Sequence, residues 1–231
     1  MKTLSLVMSV LFMTVGYAHA EVLITGTSLQ TTVLTGGATV SNLAAGDGVN
    51  ATQNLATNAG TVTIGGSSEQ TVMINGGTLL NEAIGGDAIQ NLASNADHVD
   101  ISGNSTQLVE IDSGSTLLNK AEGDGSWASQ NLASNFGQIT IGGTSIQTVS
   151  VTGSTVTNIA MGSGSYAAQN IASNFGNVSI GGHSTQSVSI AGSTVMNIAA
   201  GANSSARQSM SSNTSCNVDA SCSVHYRSGH L

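Results

Sequence analysis

Proline is absent from all 231 residues, and charged side chains make up only 7% of the chain. A soluble domain usually devotes about a quarter of its residues to charge. Disordered chains are charged and proline-rich, so this one does not read as disordered. Aromatic residues are equally scarce at 3%, and much of the apolar fraction is Ala and Val, not the Leu, Ile and Phe of a globular core. Lys and Arg number 4 against 12 acids, a net charge of −8 that becomes more negative if Lys2 is removed. That balance excludes nucleic acid as a partner, because displacing phosphate counterions requires basic residues. The few acids serve solubility better than binding. What remains is Ser, Thr, Asn, Gln, 29 glycines and β-branched residues, the composition of stacked strands.

The chain opens on a basic Met1-Lys2, an apolar stretch from Leu4 to Gly16, and the small-residue site Ala18-His19-Ala20. This reads as a signal peptide over residues 1–20, cleaved before Glu21. The stretch is shorter than the roughly 18 to 20 residues a membrane span needs. No later segment is long and apolar enough to cross a bilayer. The expectation is secretion through the periplasm to the cell surface.

Self-similarity organises the rest. Gln53-Asn54, Gln90-Asn91, Gln130-Asn131 and Gln169-Asn170 recur at steps of 37, 40 and 39, and Gln208 follows at 39. Gln30, Gln70, Gln107, Gln147 and Gln186 form a second series, and Asn42, Asn81, Asn119, Asn158 and Asn197 a third. The chain therefore divides into 1–20, a five-repeat region 21–213 (22–60, 61–97, 98–137, 138–176 and 177–213) and a tail 214–231. The fourth repeat suggests four strands: Gln138 to Ile141, Gln147 to Val151, Ser154 to Ala160 and Ala167 to Asn174, closed by Phe175-Gly176. Glycines fall between strands, as turns require.

Alternation identifies the faces. Gln147, Val149 and Val151 share an inward face. The middle position of the opposite face reads Val33, Met73, Glu110, Ser150 and Ser189 down the repeats, as a solvent face would. The fourth strand keeps its residue types on both faces, so it is expected to be buried on both. About 39 extended residues would trace roughly 130 Å. That length suits a serpentine, Greek-key-like layer that doubles back, although two shorter rungs per repeat would use the same residues. The fold expected is all-β, a cross-β solenoid stacked in register. Equivalent residues would then lie about 4.8 Å apart, where Asn and Gln amides can bond in continuous ladders. The three amide series are the candidate self-assembly residues. Trp127 and Tyr166, and Phe136 and Phe175, keep the same period and are expected to stack.

Asn42-Leu43-Ala44-Ala45-Gly46 and Asn197-Ile198-Ala199-Ala200-Gly201, each followed by a Gln, resemble the repeat of the Fap functional amyloid fibre subunits. The resemblance covers the chain after the signal peptide. It departs in having Asn54, Asn91, Asn131 and Asn170 at the second position of the family's Gln-Gln pair, and cysteines that are not a C-x-x-C. Similarity to curlins is weaker, confined to fragments such as Ser163, Gln169 and Asn174. The Fap resemblance implies that each repeat is one layer of an extracellular fibre supporting biofilm matrix and adhesion. It also implies self as the main partner, a related nucleating or major subunit, a periplasmic chaperone and an outer-membrane export pore.

No catalytic motif is present: there is no P-loop, nucleophile elbow or HExxH, so no enzyme activity and no cofactor is expected. Asp97, Asp100, Glu110, Asp112, Glu122 and Asp124 gather in the third repeat without repeating ligand spacing, and read as gatekeepers against premature stacking. Cys216, Cys222, His225 and His230 are zinc-type ligands at a spacing that matches no standard finger. In an oxidising compartment Cys216 and Cys222 are expected to form a disulfide. His98 and His183 are expected to be exposed. The competing reading is a monomeric β-solenoid adhesin, which would need polar caps at both ends. Val22-Leu23-Ile24 offers no such cap, and only the altered final repeat, with Arg207, Ser209, Met210 and Ser211, could provide one.

Overall fold

The computed structural model describes residues 21–46, 50–123, 126–162, 165–201 and 204–213. Among them there is no helix, and the chain is an all-β solenoid of five stacked layers. One parallel sheet has seven strands and three have five, each layer adding to every sheet. Each repeat is thus a single layer. Register is kept residue for residue, with Thr116 to Glu122 opposite both Thr78 to Ile84 and Thr155 to Met161.

In the second layer the chain runs through Thr61–Ile64, Ser67–Asn75, Thr78–Ile84 and Asp87–Leu92. Alternation decides which side chains turn inward. Ser68, Gln70, Val72 and Ile74 are buried, while Glu69 between them is exposed. Val72 and Ile74 pack with Leu79 of the third strand and Leu92 and Ala93 at the end of the fourth. Ala83 and Ala88 bring the third and fourth strands together in a narrow alanine column. Val62 and Ile64 belong to a separate column built from the first strands. Small residues permit the close approach of the third and fourth strands, and branched ones fill the wider space beside them. Burying a side chain such as Ile74 contributes about 1.5–3 kcal/mol. The fourth strand is enclosed on both faces in the interior layers: Ser129, Gln130, Asn131 and Leu132 are all buried.

The chain doubles back through an unusual corner. Ala56, Ala93, Ala133, Ala172 and Ser211 all have φ between 45° and 49°. The left-handed region is costly for a residue with a Cβ. Ala93, Ala133 and Ala172 place their methyl groups in the main apolar column, which offsets that cost. This corner ends the fourth strand at Leu92, Leu132 or Ile171, earlier than the alternation pattern suggests. Asn174 therefore belongs to the next strand, Asn174–Gly176. Two repeat boundaries, after residues 97 and 137, fall within the single strands Asn95–Ile101 and Asn135–Ile141. There the ladder shifts register near His98, so the expected break is a bulge that lets pairing continue.

Glycine sets the spacing between layers at one corner. An added Cβ at Gly66, Gly103, Gly143 or Gly182 would lie 2.0–2.1 Å from a glycine carbonyl oxygen of the preceding layer. No side chain fits there. Trp127 pairs in register with Tyr166, placing the rings on adjacent layers; the Phe136 side chain lies outside the described residues. So do residues 1–20, Asp124, and the tail with Cys216, Cys222, His225 and His230.

Candidate functional site: the amide ladders and the end layers

The third strand of each layer presents an inward asparagine. Asn42 Nδ2 donates to Asn81 Oδ1 at 2.8 Å, Asn81 to Asn119 at 2.8 Å, Asn119 to Asn158 at 2.7 Å and Asn158 to Asn197 at 2.8 Å. The ladder is continuous from the first layer to the last. Each amide also ties the third strand to the fourth: Asn119 Nδ2 donates to Ser129 O at 3.0 Å and to Ala88 O, one layer below, at 3.1 Å. Asn81, Asn119 and Asn158 are fully buried, so these bonds satisfy groups that water cannot reach.

The fourth strand carries a ladder of opposite direction. Gln90 Nε2 donates to Gln53 Oε1 at 2.8 Å, Gln130 to Gln90 at 2.8 Å and Gln169 to Gln130 at 2.6 Å, and Gln208 continues to Gln169. On its other face Asn91 donates to Asn54 at 2.8 Å, Asn131 to Asn91 at 2.8 Å and Asn170 to Asn131 at 2.9 Å. That series ends opposite Ser209.

The second-strand glutamines are stacked but not laddered. Gln30, Gln70, Gln107, Gln147 and Gln186 lie in register. Only Gln70 reaches its neighbour, donating to Gln30 Oε1 at 3.4 Å. Gln70 and Gln107 turn to the carbonyls of Ser94 and Ser134 at 3.2 and 3.4 Å, and both amide atoms of buried Gln147 make no hydrogen bond among the described residues.

A further asparagine series, at the left-handed corner, takes up amide bonding beside them. Asn58 Nδ2 donates to Asn95 Oδ1 and Asn95 to Asn135, each at 3.0 Å. Asn174 and Asn213 complete the column through a parallel bridge, and Gln186 Nε2 donates to both, at 2.6 and 2.8 Å. The sequence signal was the recurring Asn58, Asn95, Asn135, Asn174 and Asn213, hidden because that segment reads as a simple continuation of the fourth strand.

Neither end layer is covered by described residues. Gln30 is half-buried in the first layer while Gln70 above it is fully buried, and Ile190 is 42% exposed in the last while Val151 is 1% exposed. Leu23, Leu29, Val33 and Leu43 stand exposed on the sides of the first layer. On the third strand Lys120 Nζ lies 2.6 Å from Glu122 and 2.9 Å from Glu82. Its hydrogen bonds to Glu122 and then Glu82 hold its pKa above the ordinary lysine value. Glu110 and Asp112 point sideways from the second strand, and His98 and His183 are exposed. Among the described residues no group of His, Cys, Asp and Glu could hold a metal, and no helix is long and apolar enough to cross a membrane.

Comparison with family models, curated proteins and solved structures finds no match.

Proposed function

We propose that the chain is the structural subunit, major or nucleating, of an extracellular functional-amyloid fibre that supports biofilm matrix and surface adhesion. The observation that carries this reading is that the inward asparagine ladder runs unbroken from Asn42 to Asn197 and stops at layers that no described residue covers. A parallel edge with unpaired backbone groups is a template for another chain. Amide ladders continued across many chains give such stacks their stability. The partner is another copy of the chain, with a related subunit, a periplasmic chaperone and an outer-membrane pore serving nucleation and export. The role is structural, with no catalysis.

The test is assembly of the purified chain lacking residues 1–20, without a partner. The expected result is a lag, seedable growth, thioflavin binding and a fibre reflection near about 4.8 Å. A chain that keeps a folded β circular dichroism spectrum but stays monomeric for weeks at high concentration would instead be the adhesin. The exposed Leu23, Leu29, Val33 and Leu43 would then be its binding surface.

A further inference from the structure

Resting on the fibre reading, we infer that the junction between copies is one-way. The first layer of one chain seats on the last layer of the next, and Gly26 is the residue that admits it.

Gly26 occupies the same corner as Gly66, Gly103, Gly143 and Gly182. At those four positions a Cβ would meet the carbonyl oxygen of Gly26, Gly66, Gly103 and Gly143 respectively, at 2.0–2.1 Å. Each glycine is thus required by the layer on its N-terminal side. Gly26 has no such layer within the chain. A Cβ there would meet nothing within 4 Å, and its φ lies outside the left-handed range that favours glycine. Nothing among the described residues demands glycine at Gly26. A preceding layer would demand it, and the last layer of a second copy supplies the matching carbonyl at Gly182.

The ladders give the same polarity independently. The asparagine ladder donates towards the C-terminus, so Asn42 Oδ1 accepts no hydrogen bond among the described residues. The glutamine ladder donates towards the N-terminus, so among the described residues Gln208 Oε1 has no donor and Gln53 Nε2 reaches Leu80 O alone, at 3.4 Å. Seating the first layer on a last layer joins both series: Asn197 of one copy would donate to Asn42 of the next, and Gln53 of that next copy to Gln208 of the first. Asn54 would meet Ser209, which can accept. Two first layers face to face would oppose the strands and bring neither ladder into register. The surface is therefore heterologous, the kind that builds an open filament and not a closed dimer.

Two tests decide this. Gly26→Val should fold as the wild type does, since the added Cβ meets nothing within 4 Å among the described residues. It should fail to elongate wild-type seeds, with the rate down about tenfold or more. Mixed in small amount with wild-type monomer it should stop growth at one fibre end and spare the other, as seen by end-resolved imaging. Gly181→Ser, in the last layer with open space around it, should grow normally. The second test places cysteines at Leu23 and Ser179, equivalent side-facing positions linked in register through Thr63, Asp100 and Thr140, in a chain with Cys216 and Cys222 changed to Ser. Oxidised fibres of the double variant should give ladders of linked chains, because adjacent parallel strands hold Cα atoms about 5 Å apart, within disulfide reach. Leu23→Cys alone should give none. Normal growth of Gly26→Val, or dimers from Leu23→Cys alone, would overturn the one-way junction while leaving the fibre reading in place. A wild-type chain that never assembles would overturn both.

Discussion

Asn119 Nδ2 donates to Asn158 Oδ1 at 2.7 Å across one layer, and the same nitrogen holds Ser129 O at 3.0 Å across the layer. One side chain therefore fastens the stack lengthwise and the serpentine crosswise. Asn119→Ala should destabilise the folded chain by about 2–4 kcal/mol, because it leaves buried acceptors without donors. Chemical denaturation measures this. Asn119→Leu should be no better, since shape is restored but the acceptors stay orphaned.

Assembly should separate inward amides from outward acids. Replacing Gln130, Asn131, Gln169 and Asn170 with Ala removes rungs from the two ladders of the fourth strand. Replacing Glu110 and Asp112 with Ser removes like charges from a lateral face. The first set should slow seeded growth and the second leave it unchanged or faster. The opposite order of rates would contradict the assignment of these acids as gatekeepers.

The period, the number of layers and the inward face of Gln147, Val149 and Val151 were legible in the sequence, because side chains alternate along a strand and repeats must stack in register. The corner at Ala93 was not. Alanine is no turn former, and its left-handed φ of 45° is sustained by burial of the methyl group among residues remote in sequence. Missing that corner hid the Asn58 to Asn213 column and misplaced the ends of the fourth strand. The second-strand glutamines misled in another way. Equal spacing places Gln107 over Gln70, but the nearby Ser134 carbonyl competes for the Gln107 amide.

Gly103→Ala should be far more harmful than its size suggests. The new Cβ would lie 2.0 Å from Gly66 O, with backbone on that side and no flexible side chain to yield. The two layers must separate locally or the corner must unfold. A loss of roughly 3 kcal/mol or more is expected, at the upper end of single-site effects. Gly142→Ala, one residue from the equivalent Gly143 and with nothing within 4 Å of the added Cβ, is the matched control and should be nearly neutral in a denaturation curve.

Lys120 gives a pH dependence confined to alkaline solution. Glu122 and then Glu82 raise its pKa in the folded chain. The folded state therefore binds this proton more tightly than the unfolded one. The resulting stability is fully present below the ordinary lysine pKa and fades as pH climbs through the raised value. The ion pairs are partly solvated, so the effect is small and falls with added salt. Lys120→Met should flatten the alkaline limb of the stability profile: its small loss of stability is present at neutral pH and vanishes in alkaline solution, where wild-type Lys120 is itself neutral.

The tail should separate sharply at Asn213. Asn213 is the last rung of the corner column: it bridges to Asn174 and accepts from Gln186 Nε2 at 2.8 Å. Ser211 Oγ also holds the Gln186 carbonyl at 2.7 Å. A chain ending at Asn213 keeps all of these contacts and should assemble at the wild-type rate. A chain ending at Met210 loses them, leaves the Gln186 side chain its bond to Asn174 alone and opens the last layer, so it should melt at lower temperature and seed poorly. Cys216 and Cys222, which lie outside the described residues, should be joined to each other in exported protein, since two cysteines in an oxidising compartment meet no reductant. The loop they close is short, so the bond should add little to the stability of the stack. Thiol counting on exported fibres tests the bond, and the paired truncations test the boundary. Failure of the Asn213 truncation to assemble, or a requirement for zinc, would make the tail part of the assembly mechanism.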